Sequence, residues 1–379
     1  MTPRDRSAHR ARPPLGLLTV LPVALASACM VAAPPFPTVP AWDALEQQPQ
    51  GPEPDEKAIW DEAREALKEF LDDEHAYPDA ALSTYLADLV VDLAPPLAKA
   101  APTLSVRVIR DAEDDASALP DGTILIALPL LASFRNEAQV AFVLAHEIVH
   151  VTKRHSLLSK RYDATTRSHV DRMRFSRRLE AEADRDAIAL MAEAGYPPRE
   201  AAPSLTCIAH RDSEEDEGPA AWSSHGDLAS RLSVIRAAAR TTRASRGDAR
   251  QERFERALDA HRLPAATIEL EARRYDDALA LVSRHLERRP DSGTAYVLRA
   301  RIVGDRDPKL RRTDTVGADL ERAIELAPDD PDALRALGLF LRDTGKAERS
   351  RALLHRYLTA RPDAFDRKII ERYLAPTGG

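Results

Sequence analysis

Residues 143–155 read VLAHEIVHVTKRH, and the rest of the chain is best approached from this stretch. It closes a segment, from about Asn136 to about His155, that is apolar almost all round, with Val140, Phe142, Val143, Leu144, Ile148 and Val149 on its faces. A helix of that composition is buried. Within it His146, Glu147 and His150 spell H-E-x-x-H. Residues four apart on a helix share a face, so both imidazoles can reach one ion. Catalytic zinc takes three protein ligands and keeps one position open for water. Glu147, beside the first ligand, is placed to contact that water as general base, and the ion brings the water pKa to roughly 7. The competing reading is a chance match on an ordinary helix, and the search for a third ligand bears on the choice.

That search leads to the next long helix, RLEAEADRDAIALMAEAG, which ends at Gly195 and Pro197. Glu180 and Asp184 are four apart and share a face, while Glu182 points elsewhere. Glu180 completes a set of two histidines and one glutamate for a single zinc ion per chain. Asp184, one turn on, is placed to accept a hydrogen bond from a ligand imidazole and fix its tautomer. A solvated stripe is the alternative, because charges run from Arg177 to Asp186. Leu179, Ala183, Ile188 and Met191 nevertheless give this helix a buried side.

H-E-x-x-H followed on a later helix by E-x-x-A-D resembles the membrane-associated zinc metallopeptidases that include HtpX, BepA and the CAAX prenyl endopeptidases. The resemblance spans roughly residues 80–240. HVTKRH continues the motif with Arg154 and His155 at family positions, and DASALPDGTILIALPLL is similar to the family's N-A-F-x-L-P-G-G segment ahead of a strand. The resemblance implies that this edge strand binds an extended substrate by β-addition. SSHGDLASRLSVI resembles the family's T-H-P-x-x-x-R-I segment, with His225 and Arg231 at its His and Arg. It implies that His225 contacts the transition-state oxyanion, or plugs the metal in a resting form. Asp115, Ser117, Asp121 and Gly226 depart from the pattern, which bears on the substrate strand and the His225 loop but not on the metal set. Integral members carry membrane spans near the active site, whereas SKRYDATTRSHVDRMRFSRR fills that interval here with polar residues.

The N-terminus reads as a targeting segment. Arg4, Arg6, Arg10 and Arg12 precede the apolar run LGLLTVLPVALASAC, which Pro22 interrupts and which is too short to span a bilayer. Ala26, Ser27 and Ala28 before Cys29 resemble a lipobox, making Cys29 the lipidated first residue of the mature chain. Ordinary cleavage after ASA, releasing a soluble secreted protein, is the alternative. Both lead out of the cytoplasm. Seven prolines between 34 and 54 mark an extended tether. With one cysteine besides Cys29, namely Cys207, there is no disulfide scaffold.

Downstream, Pro290, Pro328 and Pro362 close Ala- and Leu-rich helices at intervals of 38 and 34 residues. A helix–turn–helix period near 34 resembles tetratricopeptide repeats, with Leu337, Gly338 and Ala352 at the repeat's small and apolar positions. A generic helical bundle is the alternative. The resulting map places a leader at 1–29, a tether at 30–54, a metallopeptidase domain at 55–245 and helical repeats at 246–379. The expected fold is mainly α with a small β-sheet, an α+β domain followed by an all-α repeat domain. His155, His169, His210, His285 and His355 lack a spaced partner set and read as surface or packing residues. A net charge of −7 gives no footprint for nucleic acid.

These readings lead to a zinc endopeptidase of the bacterial periplasm, held on a membrane through Cys29. It would act on unfolded or misassembled envelope proteins, with the repeats recruiting clients or an assembly machine. The alternative is a catalytically latent, zinc-bound adaptor working through the repeats. Structural zinc sites normally have four protein ligands, and Glu147 would have no purpose in one.

Overall fold

The computed structural model describes residues 35–42, 52–71, 75–94, 102–112, 116–213, 228–242 and 247–375. The chain divides into units 1–34 and 35–379, and every described residue belongs to the second. The leader with Cys29, Asp115, the acidic run after Ser213, His225 and Gly226 lie outside the described residues. No described helix is long and apolar enough to cross a membrane.

Helices α1 (Pro54–Phe70) and α2 (Ala80–Leu93) precede a three-stranded sheet. Its strands β1 (Ser105–Ile109), β2 (Ala116–Ala118) and β3 (Thr123–Ala127) lie in the order β1-β3-β2. β3 runs parallel to β1 and antiparallel to β2, pairing Ala116 with Ile126 and Ala118 with Ile124. The strand expected at the edge, TILIAL, is β3 and lies in the middle, paired on both sides, so the edge falls instead to β2, from the segment ahead of it. The turn into β3 needs a glycine at 122, where φ is +95° and a Cβ would lie 2.7 Å from the Thr103 carbonyl oxygen. Asp121, a departure from the family pattern, is accommodated: its side chain accepts from the Thr123 amide at 3.1 Å.

After α3 (Leu128–Ser133) comes the helix that carries the motif, α4 (Glu137–Thr152). Asn136 caps it, accepting from the Gln139 amide at 3.1 Å. Glu137 in its first turn takes hydrogen bonds from the Tyr196 hydroxyl at 2.8 Å and Arg253 at 3.1 Å. Every residue of α4 except His150 is buried, as its all-round apolar surface dictates. The helix stops short of the expected His155. Arg154 adopts a left-handed backbone, φ 58°, and α5 (His155–Thr165) starts beyond this break. Next come α6 (His169–Glu193), capped by Ser168 and longer at its N-terminus than its apolar pattern suggests, then α7 (Ala201–Ser213), α8 (Leu228–Thr241) and α9 (Gln251–Leu258).

Part of the tether lies against this body. Residues 35–41 belong to no helix or strand, yet Phe36 stacks on Phe175 with ring centroids 5.0 Å apart and also meets Tyr162. Trp42 is 1% exposed, beneath the Arg154 guanidinium.

The remaining helices pack in consecutive pairs: α10 (Arg262–Glu271) with α11 (Tyr275–Arg288), α12 (Gly293–Arg306) with α13 (Asp314–Leu326), and α14 (Pro331–Asp343) with α15 (Ala347–Ala360), before α16 (Arg367–Leu374). Close approach explains Gly338, where a Cβ would fall 2.7 Å from Leu354 on the facing helix. One apolar core runs without interruption from Leu82 through the sheet, α4 and α9 to Ile302 on α12. A second, smaller core joins α12 to α16.

Candidate metal centre

α4 and α6 pack side by side and bring three potential ligand residues together, His146, His150 and Glu180. His146 Nε2 and His150 Nε2 are 3.0 Å apart. Glu180 lies 3.4 Å from the first and 3.5 Å from the second. Bonds of about 2.0–2.1 Å to zinc set tetrahedral ligand–ligand edges of about 3.4 Å, so the donor set fits such an ion in kind and spacing.

The other face of His146 is equally engaged. Its Nδ1 lies 3.1 Å from Asp184, so a proton there fixes the tautomer that leaves Nε2 free for a metal. Arg231, on α8, grips Asp184 with two hydrogen bonds, Nε to Oδ2 at 3.0 Å and Nη2 to Oδ1 at 2.7 Å. Its Nη1 also stands 3.7 Å from Glu180. Burial works against the charge on Arg231, but the carboxylates of Asp184, Glu180 and Glu147 outweigh it and raise its pKa. Burial likewise opposes ionisation of Asp184, yet His146 and Arg231 keep its carboxyl below the ordinary value. For His146, burial and then Arg231 push downward, while Asp184 and Glu180 pull harder and carry it up to about 9. Those are the values before a metal displaces the proton.

Glu147 is buried on α4 beside the first ligand. His150 lines a small pocket of about 10 Å³ together with Ala118, Leu119 and Pro120 at the end of β2. Of the three candidate ligands, His150 is the one that shares this pocket with the end of the edge strand. His225 and Cys29 fall outside the described residues.

Among the remaining histidines, His169, His210 and His355 are exposed and His285 is buried in the repeats. His155 is neither a surface residue nor a remote packing residue. Its Nδ1 lies 3.1 Å from His150 Nδ1, with the two rings edge to face at 89°. Burial pushes His155 down to about 4, so it is neutral at physiological pH. The H-x-x-x-x-H spacing that could have signalled this contact is off the helical period, and it works because the helix breaks between the two.

Fold and site define a class: a mainly helical domain with a small sheet, whose H-E-x-x-H helix and a glutamate from a second helix form a metallopeptidase-type centre. Residues 80–167 match the family described as Peptidase family M48, a match that takes in the sheet and α4 and ends before Glu180. The mitochondrial metalloendopeptidase OMA1 of Arabidopsis thaliana is 33% identical over 113 residues, covering 25% of this chain and 23% of that protein. The chain thus spans about a quarter of that relative's length. Both likenesses support a metallopeptidase. The solved complex of the TPR2AB domain of yeast Sti1 with pHSP90 covers 62% of this chain and 84% of that one at 10% identity and a TM-score of 0.25. At that score the likeness carries no argument.

Proposed function

We propose that the protein is a zinc-dependent endopeptidase of the bacterial cell envelope that cleaves extended segments of unfolded or misassembled proteins. The observation that carries this reading is the clustering of His146, His150 and Glu180 at tetrahedral spacing beside Glu147. Zinc held by those three side chains supplies Lewis acidity and a nucleophilic water at neutral pH. Glu147 accepts the proton of the attacking water and delivers it to the departing amine. Asp184, clamped by Arg231, holds the His146 ring in its ligating tautomer. The edge of β2, whose end lies close to His150, offers backbone partners to an extended peptide. His225, on the resemblance of its segment, meets the oxyanion or plugs the site at rest. The basic and apolar leader with Cys29 supports export and a lipid anchor, and the paired C-terminal helices, of tetratricopeptide-like period, support a role in recruiting clients or assembly machinery.

The test is hydrolysis of an unfolded protein by the purified, zinc-loaded chain lacking residues 1–28, run beside Glu147→Gln. Cleavage by the parent that drops about 100-fold or more in the variant, with zinc still bound, assigns Glu147 as the base. Zinc bound without cleavage by either protein would overturn the peptidase reading in favour of a latent adaptor.

A further inference from the structure

His155 has an unusual position for a residue five beyond a candidate metal ligand. In an unbroken α-helix it would lie about 140° round the axis from His150 and face away. The left-handed backbone at Arg154 ends α4 and turns the chain so that His155, first residue of α5, swings back behind the His150 ring. The result is an Nδ1-to-Nδ1 separation of 3.1 Å between two rings crossing at 89°. His155 is 3% exposed, so its side of the contact is buried, while His150 is partly open to solvent. Its other nitrogen, Nε2, is buried without a hydrogen bond and lies 4.0 Å from the Glu182 carboxylate on α6. Glu182 is the one carboxylate of the E-x-E-x-D run on α6 (Glu180, Glu182, Asp184) that serves neither as candidate ligand nor as partner of His146.

We propose that His155 is a positioning residue for the metal centre: it accepts the Nδ1 proton of His150, orients that ring with Nε2 toward the ion, and is itself oriented by Glu182. The hydrogen-bond inventory allows one consistent proton assignment. A neutral imidazole that ligates through Nε2 carries its proton on Nδ1, so His150 donates. His155 must then accept through Nδ1 and carry its own proton on Nε2, the atom that faces Glu182. His155 thus does for His150 what Asp184 does for His146, with Glu182 acting on His155 through charge at 4.0 Å rather than through a hydrogen bond like those between Arg231 and Asp184. The inference rests on the metal-site reading above.

The test measures zinc affinity by chelator competition and the visible spectrum of the cobalt-substituted protein, with no peptidase assay. His155→Leu keeps bulk and removes the acceptor; His155→Asn keeps a polar acceptor close to where Nδ1 sits. The expected result is zinc binding about 10- to 100-fold weaker in His155→Leu with an altered cobalt spectrum, near-parental behaviour in His155→Asn, and a smaller loss in Glu182→Gln. If His155→Leu binds zinc like the parent with the same spectrum, or if Leu and Asn lose affinity equally, His155 only fills space and the proposal is overturned. Should His155→Leu fail to fold, the contrast between His155→Asn and His155→Phe decides by the same measure. A parent chain that binds no zinc would instead bring down the metal-site reading itself, an outcome distinct from any of these.

Discussion

His146 stands between opposed influences, and their balance predicts how the site responds to pH. Burial and Arg231 disfavour its protonated form, yet Asp184 and Glu180 carry its pKa to about 9. A metal must displace that proton, so apparent zinc affinity is predicted to rise about tenfold per pH unit from 7 toward 9 and then to level off. In the metal-free protein the sign is the reverse. The His146 pKa is above its unfolded value, so its stabilisation is present in full below about pH 6.5 and is lost as pH rises through about 9. Chelator competition from pH 7 to 10 checks the first statement, and a flat profile would sink it. Asp184→Asn is predicted to weaken zinc by about 10- to 100-fold and to shrink the slope over the same range, since it removes the carboxylate facing Nδ1. At this scale the sequence was legible wherever chemistry follows the helical period. His146, His150, Glu180 and Asp184 sit at i, i+4 spacings that announce a shared face. His155 does not, and its place at the site depends on a single backbone conformation at Arg154 that the helical period does not reveal.

That conformation belongs to the scale of elements. A left-handed arginine costs about 1–2 kcal/mol against the right-handed helix. The side chain offsets it: Arg154 Nε and Nη2 donate to the two oxygens of buried Glu56 at 3.0 and 2.6 Å, and Nη2 also reaches Glu53 at 2.8 Å. The guanidinium lies 4.7 Å above the Trp42 ring, and Nη1 reaches the Pro40 carbonyl at 3.3 Å. Arg161 on α5 adds contacts to Glu53 and Asp55. The end of the metal-bearing helix is therefore held by α1 and by the strap at residues 35–42. Arg154→Ala is predicted to destabilise the protein by about 3 kcal/mol, because it leaves Glu56 charged, buried and unpaired. Denaturant melts read that loss, and a change within about 0.5 kcal/mol would show the pair to be inert. Glu56→Gln combined with Arg154→Ala should recover part of it, as the uncompensated charge is then gone. Prolines made the strap legible as extended chain, but not as packed chain. The docking of Phe36 and Trp42 depends on Phe175, Tyr162 and Arg154, more than a hundred residues away in sequence.

Across the whole molecule, architecture and core have different boundaries. The pattern of the sequence changes from mixed to purely helical near residue 245, whereas the main core continues through α9 to α12 as far as Ile302. Polar contacts cross the same line. Arg284 on α11 donates to the carbonyls of Ala132, Ser133 and Phe134, at 3.2, 3.1 and 2.6 Å, just ahead of α4. Arg211 on α7 is buried against Glu269 on α10, and Arg211 and Arg274 both donate to the Ala112 carbonyl beyond β1. Periodicity reveals a helix and its buried face, but not which face it buries against, so this continuity could not be read from the helices one by one. A chain ending at residue 245 would lose the cover of α3 and α4, three carbonyl partners and the counter-charge of buried Arg211. Each buried charge left unpaired costs several kcal/mol, against total stabilities of about 5–15 kcal/mol for a typical domain. A chain ending at Asp307 keeps every one of those contacts and gives up the second core with the packing of α13 on α12, including the Arg299–Asp319 ion pair. The prediction is that the shorter chain fails to fold and binds no zinc, while the longer one melts cooperatively and retains zinc affinity within about threefold of the full protein. Thermal melts with and without chelator decide it. Cooperative melting and tight zinc binding by the chain ending at 245 would show the first helical pairs to be dispensable. The opposite result would make those pairs part of the fold that carries the metal centre, leaving only α13 to α16 as a separable appendage.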